Sequence, residues 1–182
     1  MSSQYGEVKG GGWYKAGETA AIKVSDTVDL HNGTRMVFAS WMTSATIDKS
    51  TCNLIFKVNS SMSLTASWKT QYYLTVKSEC GTAQGEGWYE PGSQATVSIS
   101  ITRVEKNLFT SYVFEGWMVD GELVSTSPTF TLTVTRPVSL TAAWRTETNL
   151  ITVGAITRVI LLIIAITILI TFLKRRRTPS VR

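Results

Sequence analysis

The chain has 182 residues, of which 17% are charged, and a formal net charge of +5. That charge is local: six of the 18 Lys and Arg lie at or after Arg158 and none of the 13 Asp and Glu do, so the part before it is near −1 (about 12 basic against 13 acidic), and nothing in it argues for a nucleic-acid partner. Two cysteines and one histidine are too few for a disulfide scaffold or a metal-ligand set, and no cofactor motif is present.

The chain start, Met1-Ser2-Ser3-Gln4-Tyr5-Gly6, lacks the apolar core of a signal peptide, and none follows within thirty residues. Either the C-terminal apolar stretch drives insertion after synthesis, or the true N-terminus lies upstream. An internal repeat favours the second.

Gly10-Gly11-Gly12-Trp13-Tyr14-Lys15-Ala16-Gly17 recurs as Gly85-Glu86-Gly87-Trp88-Tyr89-Glu90-Pro91-Gly92, an offset of 75 residues. Val37-Phe38-Ala39-Ser40-Trp41-Met42 recurs as Val113-Phe114-Glu115-Gly116-Trp117-Met118 at an offset of 76, and Ser63 to Thr70 recurs as Ser139 to Thr146 at the same offset. Three blocks in the same order make two copies of one module, residues 1–70 and 71–149.

Within each copy the pattern is that of strands. Met62, Leu64, Ala66 and Trp68 alternate with Ser63, Thr65 and Ser67; Val138, Leu140, Ala142 and Trp144 do the same, as do Phe130 to Val134 and the series Ala95, Val97, Ile99, Ile101. Alternation with β-branched residues marks half-buried strands. Asn32-Gly33, Pro91-Gly92, Asp120-Gly121 and Arg136-Pro137 supply turns. The expectation is an all-β chain of two small modules, grasp-like or sandwich-like, with about six strands in the complete copy. The six tryptophans fall three to a copy at matching places, which favours core packing over an aromatic platform for glycan or ligand.

Copy one is incomplete. Copy two opens with Tyr72-Tyr73-Leu74-Thr75-Val76-Lys77, whose counterpart in copy one would precede about residue 3. A missing first strand leaves a sheet edge and an apolar face uncovered. The chain is then the C-terminal part of a longer repeat protein, or its start lies upstream, or a partner donates the strand. Between the copies, Trp68 to Leu74 contains no Gly, Pro or Ser, so the last strand of one copy is expected to run straight into the first of the next, as a stiff junction.

Chemistry is sparse. His31 stands beside the Asn32-Gly33 turn and reads as a loop residue, not a triad member. Asp26 and Asp29 read as solvated, and Gly10-Gly11-Gly12 lacks the Lys-Ser/Thr and helix of a phosphate loop. Asn32 and Asn59 begin glycosylation sequons. Cys52 and Cys80 are a candidate disulfide in an oxidising compartment, although they occupy unlike repeat positions.

From Val159 to Leu173 no residue is charged, and extension back to Gly154 gives 20 residues, about 30 Å of helix and the thickness of a hydrocarbon core. Residues 150–173 are therefore expected to span a membrane, with Lys174, Arg175, Arg176 and Arg177 as the stop signal of a basic tail, 174–182. Only Arg136 and Arg145 stand shortly before the span, so the positive-inside rule places the tail in the cytoplasm and the modules outside.

The blocks Tyr73-Leu74-Thr75-Val76, Gly85 to Gly92, Val113 to Trp117 and Leu140 to Trp144 resemble the divergent B-repeats related to those of internalins. They are also similar to repeats at the C-terminal ends of archaeal cell-surface proteins, including thermopsin-like proteases. The resemblance covers residues 4–147; copy one departs from it in lacking the first strand and in having Ser40 where copy two has Gly116. It implies a small grasp-like extracellular stalk or adhesion module and fixes no catalytic residue. The expected function is a non-enzymatic, membrane-anchored surface module contacting lipid and, outside, other surface proteins or glycans. The rival is the anchoring tail of a larger secreted hydrolase.

Overall fold

A computed structural model describes residues 1–43, 47, 49–148 and 150–177. In chain order the strands are β1 (Ser2–Ser3), β2 (Glu18–Lys23), β3 (Thr27–Asp29), β4 (Thr34–Met42), β5 (Asn53–Val58), β6 (Thr65–Lys77), β7 (Ala83–Gln84), β8 (Gly87–Tyr89), β9 (Gln94–Ile99), β10 (Arg103–Asn107), β11 (Thr110–Val119), β12 (Glu122–Ser125), β13 (Thr129–Thr133) and β14 (Val138–Thr148). One helix, α1 (Leu150–Arg177), follows. The second copy therefore holds more than the six strands expected. Four of its strands, β7, β8, β10 and β12, are two to five residues long, too short for alternation to register.

Each copy is two sheets with a core between them. In the first, β2 pairs with β5 to form the smaller sheet; in the second, β9 lies between β13 and β7. Among the described residues no helix precedes Leu150, so the layering is sheet on sheet. The cores match position for position: Ala20, Ile22, Trp41, Leu64 and Ala66 are buried in one, and Ala95, Val97, Trp117, Leu140 and Ala142 in the other.

The backbone repeats as closely. β4 pairs with β6 through a bulge between Phe38 and Ser40, and β11 pairs with β14 through a bulge between Phe114 and Gly116. The bulge turns the strand's aromatic residues into the core. At Gly116 a Cβ would stand 2.3 Å from the Ser125 carbonyl oxygen, which explains the glycine there.

The two larger sheets are one. β6 spans 13 residues. Its first part, Thr65–Tyr72, is the last strand of module one, antiparallel to β4. Its second part, Leu74–Lys77, is the first strand of module two, parallel to Val138–Thr141 of β14. The resulting sheet runs β10-β11-β14-β6-β4-β3. The 70/71 boundary read from the repeat falls inside this strand, and the stiff junction expected from its composition is a continuous β-ladder. Further contacts reinforce it: the Tyr73 backbone N–H donates to the Gly33 carbonyl at 2.8 Å, Arg35 lies 4.4 Å over the Trp88 ring, and Lys69 pairs with Glu90 at 3.2 Å.

Candidate interaction surface

Four of the six tryptophans behave as core or near-core residues. Trp41 and Trp117 are buried. Trp68 and Trp144 are half-buried, each edge-on to the Phe of its module: Trp68 on Phe38 at 6.1 Å and Trp144 on Phe114 at 5.7 Å. Their indole N–H groups donate to Ser3 at 3.0 Å and Ser78 at 3.1 Å, which are equivalent residues.

Trp13 and Trp88 part company. Trp88 packs on Tyr73 at 5.0 Å, because β8 pairs antiparallel with Tyr72–Leu74 of β6. Trp13 is 104% exposed, and Gly12–Tyr14 form no strand. The expectation that this tryptophan is core is corrected, for a structural reason. Among the described residues the counterpart in module one of the strand that covers Trp88 is the two-residue β1, whose Ser2 and Ser3 lie parallel to Thr65 and Ala66. The result is an open slot of about 370 Å³ beside Trp13, walled by Tyr14, Ala20, Phe56, Val58 and Met62.

Where module two has its strand, Glu86 fastens it. The carboxylate accepts from the Val76 N–H at 3.0 Å and the Tyr73 hydroxyl at 2.8 Å. Those two donors, the backbone one first, hold its pKa below the ordinary glutamate value. The counterpart of Glu86 in module one is Gly11.

The cysteines do not meet; both are free thiols, and the expected bridge is absent from the structure. Each is committed within its own module. Cys52 packs on the first core, its thiol donating to Asp26 at 2.6 Å, and that carboxylate raises its pKa, which keeps it protonated. Cys80 lies in the turn after β6, its carbonyl accepting from Ser78. Asp26 and Asp29 serve different partners, since Asp29 accepts from the His31 N–H at 2.8 Å. His31 is exposed in the β3–β4 turn with φ 61°. Asn32 is exposed in the same turn, accepting from the Thr34 N–H at 3.1 Å, and Asn59 is exposed just after β5. Among the described residues no group of three His, Cys, Asp or Glu could hold a metal.

At the other end, Thr110 pairs with Thr148, so the β10–β11 turn, with Leu108 and Phe109 exposed, sits beside the start of α1. Leu150–Leu173 has mean hydropathy 2.7 and no part buried against the modules. The helix continues through Lys174–Arg177, and residues 178–182 lie outside the described residues.

Together these features define an all-β tandem-repeat protein with one candidate membrane-spanning helix. Residues 72–148 match the family model of the divergent InlB B-repeat domain. The resemblance read from the motifs over residues 4–147 thus holds as a family match over the second copy. No curated protein and no solved structure matches the chain.

Proposed function

We propose that this is a non-enzymatic, single-pass surface protein whose two β-modules stand outside the membrane as a short stiff stalk or interaction module, with the basic tail in the cytoplasm. The observation that carries the reading is the join between β14 and α1. A strand of the second module ends at Thr148, and an apolar helix of which no part is buried among the described residues begins at Leu150. An exposed helix of this length and composition is stable where lipid, not water, surrounds it. Leu108 and Phe109, at the same end of the module, then meet the membrane interface and brace the stalk against it. The orientation is supported by the basic residues clustered after the helix. Partners of the modules, proteins or glycans, are met outside, and Asn32 and Asn59, both exposed, are the glycosylation positions of this reading.

Protease applied to intact cells tests this. Epitopes in both modules should be lost while a tag at Arg182 survives; protected modules, or loss of the tag, would contradict it.

A further inference from the structure

The free edges of the sheets are mostly guarded by charge. Among the described residues, the edge strand β3 carries Asp29, β10 carries Arg103, Glu105 and Lys106, β12 carries Glu122, and β5 carries Lys57. A charge on an edge strand hinders pairing with another chain. β13, the outer strand of the smaller sheet in module two, is different: its sequence is Thr-Phe-Thr-Leu-Thr. It contains no charged residue, no Gly and no Pro, and it pairs with β9 from Thr129 to Thr133 without a bulge. The guard is present at the equivalent edge of module one, where β5 occupies the same place in the repeat.

The backbone of β13 sets which groups that edge offers. The Pro128 carbonyl accepts from the Ile99 N–H at 3.1 Å, and the Val134 N–H donates to the Ser93 carbonyl at 2.9 Å. Even-numbered residues here therefore turn their backbone groups toward β9. By the alternation of an antiparallel ladder, Thr129, Thr131 and Thr133 turn their N–H and C=O outward, where no described strand meets them. The side chains divide by the same alternation. The three threonines are exposed, with the Thr131 and Thr96 hydroxyls hydrogen-bonded at 3.0 Å and the Thr133 hydroxyl accepting from Gln94 at 3.0 Å. Phe130 and Leu132 point the other way and are half-buried at the rim of the second core.

We propose that β13 is a self-association edge whose partner is β13 of a second copy of this chain, paired antiparallel about a two-fold axis at Thr131. In that register Thr131 stands opposite its own copy and Thr129 stands opposite Thr133. These are the residues with outward N–H and C=O groups, so each pair exchanges both hydrogen bonds. The two faces are self-complementary as well. On one, threonine meets threonine and continues the Thr96–Thr131 row; on the other, Phe130 meets Leu132 and extends the rim of the core across the seam. An uncharged strand offers a charged partner no ion pair, whereas a second copy matches it on both faces, which favours the second copy. The two-fold axis closes the pair, because each copy has one such edge. This pairing goes beyond membrane anchorage and holds for either orientation of the chain.

The test uses the full chain in detergent micelles from about 1 μM to about 1 mM protein, with mass from sedimentation equilibrium and hydrogen exchange read at Thr129, Thr131 and Thr133. At the dilute end the chain should be a monomer in which these three amides exchange rapidly. As the dimer forms they should slow together, by about tenfold or more. Thr131→Pro removes the central donor without breaking a bond to β9, since that N–H faces outward. Thr131→Lys sets like charges opposite each other. Both variants should melt as the dilute wild type does and stay monomeric at every concentration; if the proline variant fails to fold, the lysine variant decides. A wild type that remains a monomer over the whole range would overturn the proposal. A dimer whose three amides still exchange rapidly, or one that survives Thr131→Lys, is held by α1 or another surface and would overturn it too. Growth beyond a dimer would also contradict it, because pairing of β13 with its copy uses up the edge.

Discussion

At the scale of single residues, the repeat makes each module a control for the other. Trp41 and Trp117 fill equivalent core positions, but the Trp41 indole N–H donates to the Thr51 carbonyl at 2.9 Å, while the Trp117 N–H is buried with no partner among the described residues. An unpaired buried donor costs free energy that a made hydrogen bond does not. Trp41→Phe and Trp117→Phe lose the same volume, yet Trp41→Phe should destabilise the protein by about 1 kcal/mol more; equal losses in denaturant titrations would refute this. Glu86 gives a pH signature. Its folded-state pKa is lowered, so its contribution is present above the ordinary glutamate range and is lost as pH falls through the lowered value. Glu86→Gln keeps the acceptor without the charge. Melting temperatures of wild type and variant should therefore converge in acid and separate toward neutral pH, with wild type higher; a constant gap would show that the charge has no part. The tryptophan blocks were legible in the sequence because they recur. The exposure of Trp13 was not, since burial of this tryptophan depends on a neighbouring strand: Tyr72–Leu74 pairs with Gly87–Tyr89 and covers Trp88, whereas Gly12–Tyr14 form no strand.

Among the elements, strands with alternating residues on a buried face were plain: β9, β13 and β14 fall where the apolar alternation lies. Short strands such as β7 and β12 were hidden, because two to four residues hold at most two periods of an alternating pattern. The turns carried more information than these strands. Asp120-Gly121, with φ of 51° and 87°, closes the β11–β12 hairpin in the left-handed conformation that this residue pair tolerates. The β10–β11 turn had no such signature and matters for a different reason. Leu108 is 72% exposed beside the start of α1, and in the proposed setting this apolar tip rests in the membrane interface. Leu108→Asp with Phe109→Asp should leave the unfolding free energy of the modules within about 0.5 kcal/mol of wild type, as surface changes do, while a nitroxide at position 108 loses its lipid contact when the Phe109→Asp change is added. A tip that shows no lipid contact in either case would detach the module from the bilayer surface.

For the whole molecule, the tandem repeat and the apolar span were evident from the sequence, and the parallel arrangement of β6 and β14 was not. Parallel pairing joins residues far apart in the chain, here Leu74 to Val138, and leaves no local signature. The cysteine pairing is absent for a related reason: compartment chemistry argues for bridges in general, but Cys52 packs on the first core while Cys80 lies in the turn after β6, and no sequence rule measured the space between them. What the structure adds is that the two repeats are not beads on a linker. One strand belongs to both, its first part in the ladder with β4 and its second in the ladder with β14, so the modules share a sheet and should open together. Native-state hydrogen exchange along Thr65–Lys77 measures this directly. The amides of β6 that are bonded in the ladder should be protected without a break through Lys69–Tyr73 and should open with the same free energy on both sides of it. Rapid exchange confined to Lys69–Tyr73, with slow exchange to either side, would mean two independent modules on a hinge and would contradict the shared strand.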